Sequence, residues 1–370
     1  MPGPSRWRGP ALVHAVVANK VKAKQLNARV RNVLNLVDRG MKSGVAENAT
    51  EHKLDRPEDR QLLRKVAAES IVLLKNDDNV LPLQKSRKIA VIGPNSKITT
   101  YCGGGSASLR AYYTVSPFDG IVAQAIGGVD FAQGCYGHQS LPQLGAVLKT
   151  FDGRKGFTMK VYNEPPGSKQ RNLLEERLLT DAMIFFIDYS HPKLDTIWYA
   201  DAEGIFTPEE TGLYDFGICV QGTARLYIDG NLVVSNVENQ RSGPSFLGSG
   251  TVEEVGTMEM VAGQQYRVLL QWGCAKTSTL KAEGVVDFGH GGFRFSGCKK
   301  LDPKESIKQA TDLAKTVDQV VLFAGLSGEW ETEGQDRDNM DLPPHTDDLI
   351  SNVLKANPNT VVVIQVSTLF

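Results

Sequence analysis

The pattern of the sequence changes twice, and this change constrains the fold more than any other feature. Over residues 55–147, and again from residue 296, apolar runs typical of buried strands alternate with segments that have the apolar period of helices. Residues 148–295 contain short alternating polar and apolar stretches, separated by turns rich in glycine and asparagine. We therefore predict an α/β fold: a mainly parallel α/β sandwich that is interrupted by an all-β sandwich.

The predicted organisation has four segments: residues 1–54, 55–147, 148–295 and 296–370. In the first, residues 9–37 predict two short helices that must pack on another surface. The second and fourth form the two halves of the α/β sandwich, with strands predicted at 71–75, 88–93, 129–131, 319–325 and 361–364, and helices at 57–70, 118–124, 306–317 and 346–356. The third contains predicted strands at 157–162, 182–188, 198–202, 212–218, 225–233 and 265–270. Within it, Asp229-Gly230 predicts a tight hairpin turn.

The charge balance argues against two classes of partner. The chain has 370 residues, with 41 Lys and Arg against 42 Asp and Glu. Such a balance produces no field that attracts nucleic acid or an anionic membrane, so we predict neither partner. The longest apolar runs, such as residues 361–364, are too short to span a bilayer. Residues 1–8 contain no apolar signal core, so we expect no export signal here and leave the compartment and the oligomeric state open.

Metal and nucleotide sites are not expected either. The five cysteines form no CxxC pair and have no histidine at ligand spacing. The glycine-rich residues 103–106 lack the spacing and the following lysine of a phosphate-binding loop. We therefore predict no metal and no cofactor.

The best candidate for a site is the segment 331–337, which follows the predicted buried strand 319–325. Open α/β sheets place their chemistry on loops that leave the carboxyl ends of strands. Glu331 and Glu333 supply two carboxylates, Arg337 can pair with one of them, and Trp330 offers an aromatic face. Cleavage of a glycosidic bond needs an acid for the leaving oxygen, and an aromatic face binds a pyranose ring. From composition alone, a solvated acidic loop remains the alternative.

Two resemblances extend this interpretation. Residues 148–295 resemble the protective-antigen (PA-14) domain, through Gly-x-Tyr-x-Phe at 212–216 and Leu-Tyr-Ile-Asp-Gly at 226–230. The flanking halves resemble the second domain of glycoside hydrolase family 3, at residues 70–76, 81–83, 89–94, 103–106 and 331–343. The combination is similar to the fungal β-glucosidase branch of this family, which carries a PA-14 insert.

The resemblance implies a reaction and roles for residues. It implies retaining hydrolysis of terminal non-reducing β-D-glucosyl residues in β-glucosides and short oligosaccharides. The family motif Glu-Gly-x-Asp-Arg makes Glu333 the acid/base, with Glu331 as the second choice. One of the two glutamates is expected to pair with Arg337 and hold the loop, and Trp330 is expected to contact sugar. Phe246, on the glycine-rich loop 242–248, is expected either to reach over the cleft to the leaving-group sugar or to cover the core of its own domain.

The resemblance also implies that parts of the family pattern are missing. Residues 1–9 resemble the end of the family's amino-terminal barrel, so residues 1–54 are interpreted as the tail of that barrel with linker helices. The Ser-Asp-Trp segment that carries the nucleophile does not occur. The family continues beyond the strand at 361–364 with a further β domain. We therefore expect a truncated chain that is inactive alone; a carbohydrate-binding module and a non-functional gene fragment are the alternatives.

Overall fold

The computed structural model describes residues 8–105, 108–109, 111–275, 291–333 and 336–366. The chain forms two compact units, Met1–Leu73 and Leu74–Phe370. In chain order the helices are α1 (Pro10–Val17), α2 (Ala23–Met41), α3 (Pro57–Glu69), α4 (Pro117–Val122), α5 (Pro303–Ala314) and α6 (Thr346–Ala356). The strands are β1 (Ile89–Ile92), β2 (Val129–Ala132), β3 (Phe157–Tyr162), β4 (Leu173–Leu179), β5 (Met183–Phe185), β6 (Tyr199–Phe206), β7 (Gly212–Gln221), β8 (Thr223–Ile228), β9 (Asn231–Asn236), β10 (Glu254–Met260), β11 (Tyr266–Gly273), β12 (Gly292–Lys299), β13 (Gln319–Gly325) and β14 (Thr360–Gln365).

The first unit is helical and buries none of its helical residues. Proline at the first turn favours the starts of α1 and α3, because the missing N–H is not needed there. Two helices are predicted over residues 9–37 and two are found, although α2 has 19 residues and is not short. The helix α3 lies in this unit, whereas it is predicted in the α/β sandwich.

The prediction of a β-like segment at residues 71–75 is wrong. These residues form no strand, and the side chains of Ile71 and Leu74 are 76% and 86% exposed. A strand is stable only when it pairs with a neighbour, and no described strand pairs with this segment. The apolar content of residues 71–75 is therefore not sufficient to predict a strand.

The α/β part of the second unit contains one parallel sheet, in the order β14-β13-β1-β2. Successive strand residues point to opposite faces of a sheet, so all four residues of β1 are buried only if both faces are covered. On one face, α5 and α6 contribute Ala310, Ala314 and Leu349 to the core. On the other face lie Phe118 and neighbouring apolar residues. The mainly parallel α/β sandwich is therefore confirmed.

Between β2 and α5 the described residues form two antiparallel sheets, which we call the β part. Their orders are β10-β7-β12-β5 and β4-β3-β6-β11-β8-β9. Both sheets contribute aromatic side chains to one core, in which the rings of Phe157 and Phe295 lie 5.0 Å apart. The hairpin between β8 and β9 turns at Asp229 and Gly230, with φ angles of 48° and 79°, as predicted. The β part therefore has the antiparallel architecture that its sequence pattern predicts.

Three strands of the β part have no sequence prediction: β4, β10 and β12. The charged centre of β4 and the glycines of β12 hide the alternating pattern. The strand β12 runs to Lys299, so the proposed limit at residue 295 falls inside a strand. At the other end, Leu144 is already buried in the core of the β part, ahead of the proposed limit at residue 148.

Candidate active site

The order of strands in the parallel sheet defines where a ligand site is expected. From β1 the chain proceeds to β2 on one side, and from β13 it proceeds to β14 on the other side. The direction of winding therefore reverses between β1 and β13. In open parallel sheets, ligands bind outside the carboxyl ends of the strands at such a switch point. The loops that leave β1 and β13 are residues 93–116 and 326–345, so the topology selects these two loops.

The two loops are hydrogen-bonded to each other. The side-chain amide of Asn95 donates to the carbonyl of Leu326 at 3.4 Å, and the N–H of Gly104 donates to the carbonyl of Glu331 at 3.0 Å. A parallel β-bridge also joins Gly104 to Thr332. The backbones approach so closely that a Cβ at position 104 would overlap the carbonyl oxygen of Gly328. The glycine-rich segment thus permits a direct contact with the acidic loop.

The structure brings both candidate glutamates to this junction. The backbone of Glu331 is held on two sides, because its N–H donates to Ser327 at 3.0 Å and its carbonyl accepts from Gly104. Glu333 is exposed, and a Cβ at Gly105 would lie 2.9 Å from the Cβ of Glu333. Both carboxylates therefore lie on the loop at the switch point, with Glu333 the more accessible to solvent.

Trp330 is half-buried, and its indole N–H donates to the carbonyl of Gly137 at 2.6 Å. This bond fixes the edge of the indole ring against the loop that follows β2. Arg337 is also half-buried, but its Nη1 atom is buried without a hydrogen-bond partner among the described residues. The expected pairing of Arg337 with a glutamate is therefore not seen at that atom, and the roles of both residues stay predictions.

Phe246 does not reach out of the β part. Its side chain is 2% exposed, and its ring lies 5.3 Å from the ring of Phe185 in an edge-on contact. The residue adopts a φ of 53°, and a Cβ on Gly292 would lie 2.7 Å from its ring. Of the two interpretations of Phe246, the structure matches the one in which it covers its own domain. The turn points the ring inward, and a contact of Phe246 with sugar stays a prediction.

Two residues at the site have no sequence prediction: Glu329 and Arg294. Arg294 lies on β12 and is 7% exposed. Its Nη2 atom lies 3.1 Å from Oε1 of Glu329, and its Nη1 atom lies 2.8 Å from Oε1 of Glu253. A signal was present in the sequence: an arginine between Phe293 and Phe295 in an apolar strand must find a buried partner.

Glu329 lies two residues before Glu331 and is held from both oxygens. The guanidinium of Arg294 contacts Oε1, while Oε2 accepts from the N–H groups of Gln139 at 3.1 Å and Ser140 at 3.5 Å. Burial raises the pKa of Glu329 above its ordinary value, and the charge of Arg294 and the two amides offset this only in part. Because its oxygens already have donors, we interpret Glu329 as a residue that holds the loop rather than one that transfers protons.

The described residues hold neither a candidate metal cluster nor a candidate membrane-spanning helix. In those ranges, no group of three or more His, Cys, Asp or Glu side chains could hold a metal ion. No helix within the same ranges is long and apolar enough to cross a membrane.

Comparison with known proteins assigns the family. The model of the glycosyl hydrolase family 3 C-terminal domain matches residues 71–370. This range includes the parallel sheet, the acidic loop and the β part. The chain therefore belongs to glycosyl hydrolase family 3.

Relatives of known sequence and structure agree with this assignment. The chain is 57% identical over 369 residues to the probable beta-glucosidase I of Aspergillus clavatus, covering 100% of this chain and 44% of that protein. It is 54% identical to the protein of the same name in Aspergillus niger, covering 100% of this chain and 45% of that one. The solved structure of beta-glucosidase from Kluyveromyces marxianus in complex with glucose matches with a TM-score of 0.85 at 37% identity, covering 100% of this chain and 45% of that one. The chain thus spans less than half the length of these relatives.

Proposed function

We propose that this chain is part of a retaining β-glucosidase and supplies its acid/base. The substrate would be the terminal non-reducing β-D-glucosyl residue of a β-glucoside or a short oligosaccharide. The observation that supports this most is the acidic loop at the switch point of the sheet, in a chain 57% identical to a probable beta-glucosidase. The relatives, which are beta-glucosidases by name, and the glucose in one solved structure support the choice of sugar.

In this proposal Glu333 is the acid/base. A retaining glycosidase uses two carboxylates about 5–5.5 Å apart, one that attacks the sugar and one that passes a proton to and from the oxygen. Glu333 has the position of the family motif and is exposed, so its carboxyl group can approach a substrate oxygen. Glu331 has its backbone held against Ser327 and Gly104, and we assign it to binding sugar or to holding the loop.

The nucleophile is not among these 370 residues, according to the proposal. The Ser-Asp-Trp segment of the family does not occur in the sequence. Without an attacking carboxylate no glycosyl-enzyme forms, and the double displacement has no first step. We therefore expect the 370-residue chain by itself not to hydrolyse an aryl β-glucoside.

A chimera tests the proposal. In the Aspergillus clavatus protein, the matching segment is replaced by this chain, and hydrolysis of an aryl β-glucoside is measured beside the isolated 370-residue chain. We expect turnover by the chimera and none by the isolated chain. A folded but inactive chimera would overturn the assignment of the activity. If the isolated chain shows turnover that disappears in Glu333→Ala, the inference that the chain lacks a nucleophile would be wrong.

Carbohydrate binding by the β part, without turnover, is the second candidate function. Its support is the PA-14-like sequence at residues 212–216 and 226–230, and a cavity of about 490 Å³ whose lining includes Arg177, Asp188 and Tyr189. Calorimetric titration of the isolated chain with a β-linked disaccharide tests it. Binding that is lost in Tyr189→Ala but kept in Glu333→Ala would favour this candidate.

A further inference from the structure

The β part and the acidic loop are joined by a cluster of charged side chains, two of them buried and one half-buried. Its members are Arg294 on β12, Glu253 just before β10 and Glu329 on the loop after β13. The side chains of Arg294 and Glu253 are 9% and 12% exposed, and that of Glu329 is 35% exposed. The cluster therefore crosses from the antiparallel sheet to the loop at the carboxyl end of the parallel sheet.

We propose that Arg294 is a positioning residue, which acts through Glu329 to fix the loop that carries Glu331 and Glu333. The β part would thereby determine where the acid/base lies. The inference rests on the proposed function for the role of the loop, whereas the contacts themselves are independent of it.

The guanidinium of Arg294 is held in one orientation. Its Nη1 atom donates to Glu253 at 2.8 Å, and its Nη2 atom donates to the carbonyl of Leu141 at 2.5 Å and to Glu329 at 3.1 Å. Glu253 is fixed in turn, because it accepts from the N–H of Leu141 at 2.9 Å and from the hydroxyl of Ser296. A planar fork of donors with this many fixed partners has little freedom to move.

The second half of the cluster fixes the loop itself. Glu329 is bound to Arg294 through one oxygen and to the backbone of residues 139–140 through the other. The next residue, Trp330, donates to Gly137 at 2.6 Å, so two consecutive side chains attach the loop to the segment after β2. Glu331 follows at once, and its carbonyl accepts from Gly104.

This arrangement favours a role in geometry over a role in stability. Desolvation of a buried ion cluster costs about as much as its attractions return, so such clusters are weak stabilisers. Their hydrogen bonds, however, are satisfied only in one relative position of the partners. A residue that holds a catalytic group within a fraction of an ångström affects the rate far more than its own contacts suggest.

Amide hydrogen exchange on the 370-residue chain tests the positioning directly. The variants are Glu329→Gln and the charge-conserving Arg294→Lys. The reporter is the N–H of Gly104, whose hydrogen-bond acceptor is the carbonyl of Glu331 rather than either altered side chain. We expect its exchange to accelerate about tenfold or more in Glu329→Gln and less in Arg294→Lys, with exchange in β6 and β11 unchanged.

The matched control is Asp201→Asn, which breaks a second buried ion pair of the β part. Asp201 lies on β6, in the other antiparallel sheet, and its pair with Arg171 has side chains that are 12% and 15% exposed. We expect this variant to change exchange in β6 but not at Gly104. Equal acceleration at Gly104 in all three variants would reflect general destabilisation and would overturn the proposal. Unchanged exchange at Gly104 in Glu329→Gln would also overturn it.

Kinetics of the chimera provide the catalytic readout. For a β-glucoside with a poor leaving alcohol, we expect Glu329→Gln to lower kcat about tenfold while KM changes less than about twofold, and Asp201→Asn to change neither. An equal loss in both variants would contradict the positioning role. If the unaltered chimera is inactive, the proposed function fails, but the exchange measurement still decides whether Arg294 and Glu329 fix the loop.

Discussion

The two parts of the second unit have different cores, and the comparison separates stability from chemistry. The core on the parallel sheet is aliphatic and small, with residues such as Ala90, Leu322 and Leu349. The core of the β part is larger and aromatic, with Trp272 and Phe216 among its members. The candidate acid/base lies on the loop that follows β13 of the parallel sheet, but the buried partner of this loop is Arg294 of the β part.

The difference teaches that the sheet which carries a site need not be the one that fixes it. Four short parallel strands give a topological switch point, and this determines where the loop leaves the sheet. They do not determine the path of the loop beyond Leu326. That path depends on contacts with Gly104, Gly137 and the ion cluster. We therefore expect substitutions in the acidic loop, in the parallel sheet and in the β part to differ in their effects on rate, stability and amide exchange.

The largest expected effect is on catalysis. In the chimera, Glu333→Ala should slow hydrolysis of a poor leaving alcohol about 10²–10⁴-fold, since its departure requires protonation. Activated phenols should be affected much less. The basic limb of the pH–rate profile should flatten, and added azide should restore turnover of the activated substrate as a β-glycosyl azide. Steady-state kinetics with the two substrates measure this.

The matched control for that experiment is Glu331→Ala, on the same loop. We expect it mainly to raise KM, with no rescue by azide. If the two variants showed the opposite behaviour, the acid/base would be Glu331, and the family assignment would be unaffected.

The next effect is on the stability of the β part. Phe216 is fully buried, so Phe216→Ala should lower the free energy of unfolding by about 3 kcal/mol or more. Leu232, which is 53% exposed, provides the control, and Leu232→Ala should change it by less than about 0.5 kcal/mol. Chemical denaturation followed by tryptophan fluorescence measures both. Similar losses in the two variants would contradict the assignment of the aromatic core.

A smaller effect is expected at the junction of the two loops. A Cβ at position 104 would overlap the carbonyl of Gly328, so Gly104→Ala must displace the acidic loop. We expect this to lower the free energy of unfolding by about 1–3 kcal/mol. Amide exchange at Glu331 and Thr332 should accelerate. Gly40 is the control, because a Cβ there meets no atom within 4 Å, and Gly40→Ala should be neutral or slightly stabilising. Normal exchange at Glu331 in Gly104→Ala would show that the loop tolerates the displacement.

The apolar pattern of the sequence correctly predicted helices and strands whose buried faces follow from the spacing of their apolar residues. The helix α6 begins and ends where its apolar period predicts, and the apolar run of β1 predicts a strand buried on both faces. The acidic loop could be located because a loop after a buried strand of this type is a general position for a site. The assignment of Glu333 within it came from the family resemblance and stays a proposal.

Contacts between distant residues could not be predicted in this way. Arg294 and Glu329 are far apart in sequence, and their pairing depends on how the β part packs against the loop. The inward direction of Phe246 depends on a positive φ that its residue type does not favour. The apolar residues Ile71 and Leu74 resemble a strand, but pairing requires a neighbour that local sequence does not identify.

The smallest expected effect tests whether the parallel sheet and the β part unfold together. Asp302 caps α5, where its side chain accepts from the N–H of Glu305 at 3.1 Å. Asp302→Ala should therefore lower the free energy of unfolding by about 1 kcal/mol. Lys304→Ala, on the exposed side of the same turn, should lower it by less than about 0.5 kcal/mol. Because α5 packs on the parallel sheet, exchange in β13 should accelerate. The β part has its own core, so the unfolding of β7 and β11 should not respond. An equal loss of protection in all three strands would mean that both parts unfold as one unit, and the ion cluster around Arg294 would then be the first contact to examine as their link.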